Sequence, residues 1–300
     1  MKIAVTGAFS YSGKYITKRL LERGEEVITL TGHPNRPDPF NGKVKAYPLD
    51  FDEAGMTKSL QGVDVLVNTY WVRFDRGANT QPNAVENTRK LVNAAKAAGV
   101  KRIVHISIAN PSAESHLPYY WGKAANEKAV IDSGLSYAIL RPTVLVGKED
   151  VLINNIAFLL RRFPFFFIPG DGMYGIQPVY VEDLADLAVE GVYSKENYVI
   201  DAVGPDSYTF KDLVQLIGEK IGVKRPLISV PPRLALFAAQ FLSLFVNDVI
   251  LTPEEVDGLM GNLLVSKEPA RAKTAFKDWL EGNRETVGAK YASELQRHYS

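Results

Sequence analysis

The sequence predicts an α/β protein: a doubly wound parallel sheet with a smaller, mostly helical C-terminal lobe. Two observations carry this. Short apolar, β-branched runs alternate with amphipathic stretches over the first two-thirds of the chain, and glycines punctuate the ends of those stretches. The apolar runs read as strands at 2–6, 26–30, 44–48, 64–69, 102–107 and 137–141. Helical periodicity fills the intervals at 12–23, 53–60, 83–98 and 119–133. Gly24, Gly99 and Gly134 stand just past three of these helices, where a chain leaving a helix adopts the left-handed conformation at little steric cost.

After Gly147 the rhythm changes. A helical stretch at 151–162 leads into Phe163-Pro164-Phe165-Phe166-Phe167-Ile168-Pro169 and the turn Gly170-Asp171-Gly172. A strand at 176–179, a helix at 181–193 and a strand at 198–201 follow, and the remainder reads as helices with proline-containing connections. The expected organisation is a core of residues 1–147 completed by 176–201, with 148–175 and 202–300 forming an interleaved smaller lobe. Within that lobe, residues 234–251 are rich in Leu, Phe, Val and Ala, but Gln240, Ser243, Asn247 and Asp248 interrupt them. The run falls short of the roughly 20 apolar residues of a transmembrane segment. It reads as a helix packed into the lobe, or as one that lies on a peripheral membrane surface or a protein partner.

Composition excludes several classes of function. Lys and Arg number 35 against 34 Asp and Glu, with no long run of one sign, so the basic footprint of a nucleic-acid binder is missing. Without cysteine there can be no disulfide, thiolate zinc site or cysteine nucleophile, which fits a reducing compartment. The start, Met1-Lys2-Ile3-Ala4-Val5-Thr6, enters a strand with no signal-peptide layout, and a cytoplasmic location is the expectation. His33, His105, His116 and His298 are scattered without metal-ligand spacing, and no GxSxG elbow marks a serine hydrolase.

The informative motif lies between the first strand and the first helix: Thr6-Gly7-Ala8-Phe9-Ser10-Tyr11-Ser12-Gly13. A glycine turn at that place aims backbone N–H groups and a helix N-terminus at a pyrophosphate, although glycine and serine also serve turns for local geometry alone. The second strand ends Leu30-Thr31-Gly32-His33-Pro34-Asn35-Arg36, with no acid before Asp38 to accept from ribose hydroxyls. Arg36 could pair with a 2′-phosphate and His33 could add a donor, which favours NADP over NAD; the alternative is a solvated loop arginine.

These residues resemble the TGxxGxxG turn of the extended and atypical short-chain dehydrogenase/reductases, a Rossmann-type superfamily, with Gly7 and Gly13 in the outer positions and Ser10 replacing the middle glycine. The resemblance extends to Ser107 at the end of the fifth strand and to Tyr119-Tyr120-Trp121-Gly122-Lys123, which is similar to the superfamily's YxxxK motif. It implies catalysis by Ser107, Tyr119 and Lys123. Tyr119 and Lys123 stand one helical turn apart, so they share a face. A tyrosine of ordinary pKa about 10 exchanges protons near neutrality only with its phenolate stabilised, which Lys123 would do while also holding the nicotinamide ribose. Tyr119 would protonate a carbonyl oxygen or deprotonate an alcohol, and Ser107 would hold the same oxygen.

The same resemblance implies cofactor contacts from the turn residues Gly7, Phe9, Ser10, Tyr11, Ser12 and Gly13, from His33 and Arg36, from Asp50 and Phe51 at the adenine, and from Asn68, Thr69 and Tyr70 along the groove. Tyr119, Lys123 and the Pro142-Thr143-Val144 backbone would flank the nicotinamide. Asn87 resembles an asparagine that supports the site from its helix, and 177–183 a strand-to-helix junction of extended members. Ser107-Ile108-Ala109-Asn110 lacks the acid of sugar-nucleotide dehydratases. The function implied is reduction of a carbonyl, or oxidation of an alcohol, on a small and fairly apolar substrate by a monomer or homodimer, with the C-terminal lobe as substrate lobe. Phe163 to Ile168, Trp71, Phe74 and Trp121 could wall the pocket or pack the lobe. A sugar-nucleotide epimerase is an alternative, and so is a non-catalytic NADPH-binding protein similar to the accessory subunit of respiratory complex I, docking through 234–251.

Overall fold

The computed structural model describes residues 1–295, so His298 lies outside the described part. In chain order the elements are β1 (Lys2–Thr6), α1 (Tyr11–Glu22), β2 (Glu26–Thr31), β3 (Lys45–Pro48), α2 (Glu53–Ser59), β4 (Val65–Asn68), α3 (Gln81–Ala97), β5 (Arg102–Ile106), α4 (Pro118–Asp132), β6 (Ser136–Pro142), β7 (Val144–Val146), α5 (Leu152–Arg162), β8 (Phe166–Pro169), β9 (Gly175–Ile176), β10 (Pro178–Tyr180), α6 (Val181–Tyr193), β11 (Tyr198–Ala202), β12 (Tyr208–Thr209), α7 (Phe210–Lys220), β13 (Leu227–Val230), α8 (Pro232–Val246), α9 (Pro253–Met260) and α10 (Phe276–Asn283). They form two compact units, one of residues 1–142 and 181–202, the other of 143–180 and 203 onward.

The first unit is a seven-stranded, wholly parallel sheet in the order β11-β6-β5-β4-β1-β2-β3. The order reverses between β1 and β4, which makes their carboxyl ends the switch point where open α/β sheets bind ligands. Both faces of the sheet are apolar, as a doubly wound parallel sheet requires. On one face Ala4, Leu30, Leu66, Ile103 and Ile139 pack against Met56 and Leu60 of the α2 region, Leu91 and Ala95 of α3 and Val130 of α4. At about 1.5–3 kcal/mol for each fully buried large aliphatic side chain, this burial outweighs any single hydrogen bond in the unit.

Helices α1 and α6 belong to this unit as well, and Arg19 of α1 joins Glu182 and Asp186 of α6 at 2.7 and 2.8 Å. Helix α6 lies close to the sheet because Gly191 has no side chain: a Cβ there would stand 3.1 Å from Ala138 Cβ and 3.3 Å from Val104 Cγ1. That contact frees the Gly191 carbonyl to accept from the buried Arg102, whose guanidinium also donates to the Glu196 carbonyl and the Ser136 hydroxyl.

One expected strand is different. Residues 176–179 do not extend the main sheet: β9 pairs antiparallel with β12, and β10 pairs parallel with β7. Gln177 breaks the run, its side chain donating to the Gly204 carbonyl and accepting from Ser266 N–H. The second unit adds a third pair, β8 with β13 in parallel, and its helices gather around Leu160, Phe166, Ile168, Phe210, Leu213, Ile217, Phe276 and Leu280. Of the Phe-rich segment, Phe166 enters this core whereas Phe163 and Phe165 are exposed. Among the described residues no helix is long and apolar enough to cross a membrane.

Arg102→Leu should remove three hydrogen bonds, two to carbonyls at the α6–β11 junction and one to Ser136 at the start of β6. We expect a loss of about 2–4 kcal/mol in urea unfolding, with circular dichroism of the folded state unchanged.

Candidate functional site

The glycine turn is built by backbone geometry. Gly7 holds a left-handed φ of 64°, its N–H donates to the Leu30 carbonyl, and its own carbonyl accepts from Ser10 N–H. A Cβ on Gly13 would lie 2.2 Å from the Gly7 carbonyl oxygen, so only glycine lets α1 close onto the turn. Ser10 is the N-cap residue of α1, yet its side chain makes no capping bond; its Oγ accepts from Arg36 Nη1 at 3.0 Å. The serine in the middle position and the arginine beyond β2 therefore meet, a contact that the spacing alone does not disclose. Burial lowers the Arg36 pKa from its ordinary value. The first acid after β2, Asp38, is engaged by the N–H groups of Phe40 and Gly42 at 2.8 and 2.6 Å. His33 begins the turn that closes at Arg36 N–H, and Phe9 packs near Phe40 with ring centroids 6.3 Å apart. This cradle, with its obligatory glycines and a helix N-terminus behind them, fits a dinucleotide pyrophosphate.

At the switch point, side chains tie β1 to β4. Thr6 Oγ1 donates to Asn68 Oδ1 and accepts from Thr69 N–H, while Thr69 Oγ1 donates to the Thr6 carbonyl at 2.6 Å. Asn68 is buried, its Oδ1 also accepting from Tyr70 N–H. With both of those acceptor roles filled, its amide nitrogen must be the partner of His105 Nδ1 at 3.1 Å. Asn68 thus faces inward, leaving Thr69 and Tyr70 partly exposed. Tyr70 packs on Phe51 with centroids 4.8 Å apart, and its hydroxyl accepts from Asn87 at 3.1 Å. Phe51 holds a φ of 61°, unusual for an aromatic residue. Asp50 is exposed and closes a local turn by accepting from Asp52 N–H.

Helix α4 carries the other half. Lys123 is buried, donates to the Ile106 carbonyl at 3.0 Å and lies 5.0 Å from the centroid of Trp71. Tyr119, one turn earlier and half-buried, meets the same indole edge-on at 5.6 Å. The intervening Gly122 makes room, since a Cβ there would stand 2.5 Å from Trp71 Cη2. Burial pushes the Lys123 pKa down to about 7, opposed by the charge of Glu127. A lysine poised there can gain or lose its proton near neutrality. Trp121 points outward.

Ser107 is buried, and its hydroxyl donates to Glu127 Oε1 at 2.5 Å. Glu127 is in turn gripped by Arg141 at 2.9 and 2.6 Å. Glu127 is buried and Arg141 only partly so, and the doubly bonded pair is a strong constraint on geometry. The proton that was expected to meet a substrate oxygen is held inward by this carboxylate. Glu127 stands outside the sequence expectation, although its place four residues after Lys123 puts it on the same helix face. Pro142 ends β6, its carbonyl accepting from Ala109 N–H at 2.8 Å; Thr143 and Val144 belong to the second unit, where Thr143 Oγ1 donates to the Gln177 carbonyl. Among the described residues no group of three His, Asp or Glu side chains could hold a metal ion.

A parallel sheet in this order with a glycine turn after β1 defines a Rossmann-type dinucleotide-binding protein. A family model described as NAD(P)H-binding matches residues 7–156, and the chain belongs to that family, within the atypical, NAD(P)-dependent epimerase/dehydratase-like branch of the short-chain dehydrogenase/reductases. It is 25% identical over 284 residues to the Arabidopsis thaliana protein named NADH dehydrogenase [ubiquinone] 1 alpha subcomplex subunit 9, mitochondrial, covering 87% of this chain and 70% of that one. It is 29% identical over 266 residues to sterol demethylase protein B of Methylococcus capsulatus, covering 78% and 79%. The structure of MoeE5 in complex with UDP-glucose and NAD shares the fold, with a TM-score of 0.71, 18% identity and coverage of 95% and 98%.

Burial pushes the His105 pKa from 6.5 down to about 3, the Lys123 charge adding to the effect. Between these values the unfolded chain takes up a proton that the folded chain refuses, so stability should fall as pH drops from 6.5 towards 3. Urea midpoints measured across that range should decline less steeply in His105→Gln than in the parent.

Proposed function

We propose that this protein is an NADP-dependent oxidoreductase that reduces a carbonyl, or oxidises an alcohol, on a small and fairly apolar molecule. The observation that carries the reading is the buried Lys123, one helical turn from Tyr119 and held at the carboxyl end of β5 by the Ile106 carbonyl. The bound nicotinamide would supply or accept hydride. Tyr119 protonates the substrate oxygen as hydride arrives, and the adjacent Lys123 charge stabilises the phenolate left behind. Ser107 completes the set by exchanging its bond to Glu127 for the substrate oxygen.

On the cofactor side, Gly7 to Gly13 hold the pyrophosphate, Phe51 and Tyr70 border the adenine side of the groove, and Pro142 at the end of β6 passes the nicotinamide. The preference for NADP follows from Arg36. It sits against Ser10, where it can reach a 2′-phosphate, while Asp38 is committed to its own turn. The Methylococcus relative, named for sterol demethylation, supports an apolar substrate. No acid stands beside Ser107 in the sequence to support dehydration.

A second reading has its own support. The Ser107 proton is held by Glu127, and a relative bears the name of a complex I subunit. In that reading NADPH is bound without turnover, and the protein docks to a partner or membrane through the region of α8.

The test is a titration of purified protein with NADPH and NADH, then assays with aldehydes, ketones, quinones and UDP-glucose. Tyr119→Phe should keep NADPH affinity and lose turnover by about 10²–10⁴-fold. Arg36→Gln should weaken NADPH on the order of tenfold or more and leave NADH nearly unchanged. Conversion of UDP-glucose would favour an epimerase. NADPH binding without turnover on any substrate would favour the second reading, and failure to bind either nucleotide would refute both.

A further inference from the structure

Helix α8 is turned inside out. Its small residues face the body of the second unit, Ala235 at 6% exposure and Ala239 at 8%. Three of its large apolar residues face away, Leu234 at 47%, Phe237 at 66% and Phe241 at 56%, while Leu236 and Leu242 are half-buried. A helix on a water-facing surface carries the opposite pattern, with bulk inward and polar residues outward. Alanines on the inner face let α8 approach β8 closely, and they leave the bulky side chains on the outer one.

The neighbouring elements continue this surface. β8 and β13 pair in register with Phe167 opposite Ile228. In a strand alternate residues share a face, so Phe165, Phe167 and Ile228 form the side opposite the core residues Phe166 and Ile168. Phe165 and Phe167 meet with tilted rings, centroids 5.0 Å apart, and Phe163, Phe165 and Ile228 are exposed.

Charge selects the occupant. No Asp or Glu occurs between Asp150 and Asp171, or between Glu219 and Asp248, the two stretches that supply β8, β13 and α8. The same stretches carry Arg162, Lys224, Arg225 and Arg233, all exposed. Arg225 Nε donates to the Leu160 carbonyl and the Arg162 guanidinium lies over Phe158, so these two are placed by a backbone carbonyl and an aromatic ring. A second copy of the chain would bring the same four cations against these in a two-fold interface, an unfavourable pairing of like charges. Aromatic and aliphatic side chains bordered by cations match the headgroup region of an anionic bilayer, which takes apolar side chains and attracts Lys and Arg together.

We infer that the outward face of α8, with the adjoining face of β8 and β13, is a peripheral binding surface for anionic lipid membrane. The inference deepens the second reading above by naming the docking surface and its occupant, and it is independent of the reductase reading, because none of these residues belongs to the dinucleotide site.

The experiment is co-sedimentation of the full chain with vesicles of phosphatidylcholine alone or mixed with phosphatidylglycerol. The wild type should bind the mixed vesicles, release with rising salt and ignore the neutral ones. Phe237→Ser with Phe241→Ser should lower binding on the order of tenfold at an unchanged thermal midpoint. Replacing Arg162, Lys224, Arg225 and Arg233 by Gln should abolish the preference for phosphatidylglycerol while the aromatic face stays intact. Failure to bind either vesicle, or equal binding to both, would overturn the inference. So would a concentration-dependent doubling of mass that Phe237→Ser with Phe241→Ser abolishes, which would make the face a self-interface.

Discussion

The architecture of the first unit depends on how β1 and β4 are held together where the strand order reverses. Backbone pairing joins the two strands as far as Val5 and Val67. Beyond that, Thr6, Asn68 and Thr69 take over with side-chain bonds, keeping the strand ends together at the point where a crevice has to open. The glycine turn leaves from one of these ends and the Tyr70 segment from the other. Asn68 therefore acts as a joint beneath the crevice, and its amide also settles the tautomer of His105: with Nδ1 accepting, Nε2 carries the proton.

The interior below α4 is unusually polar for a doubly wound sheet. His105, Lys123, Glu127 and Asn126 are all buried there. Each ionisable member is treated differently. His105 is kept neutral by burial and by the nearby ammonium, the Lys123 pKa is brought down to about 7 by burial, and Glu127 accepts from both Ser107 and Arg141. An apolar interior would be simpler to fold, and this polar arrangement is the one on which the proposed chemistry rests. Trp71 completes it from the β4 side, resting on the Gly122 gap between Tyr119 and Lys123.

The second unit follows a different logic. Its strands come in pairs, and its core is assembled from aromatic and aliphatic residues of α5, α7 and α10. The apolar residues of this unit divide between two destinations, an interior core and the outward faces of β8 and α8. Composition does not distinguish the two. Only the direction of each side chain does, as with Phe166 and Phe165, adjacent in sequence and opposite in destination.

The doubly wound sheet was legible in the sequence because its signals are local. Strand and helix periods, glycine stops and the turn from Thr6 to Gly13 each lie within one element or one junction, and Tyr119 and Lys123 are related by a single helical turn. The contacts that give the site its character are not local. Ser10 meets Arg36 across 26 positions, Ser107 meets Glu127 across 20, and Thr6 meets Asn68 across 62. The split of 176–179 into two strands likewise follows from distant partners, β12 for one half and β7 for the other. What the chain determined by itself is where backbone geometry must turn and which residue types it carries. Tertiary structure alone decided which buried charges are paired, which proton is held away from the crevice and which apolar face is left outside. Burial and electrostatic coupling are properties of neighbours in space, and the linear order of residues does not contain those distances.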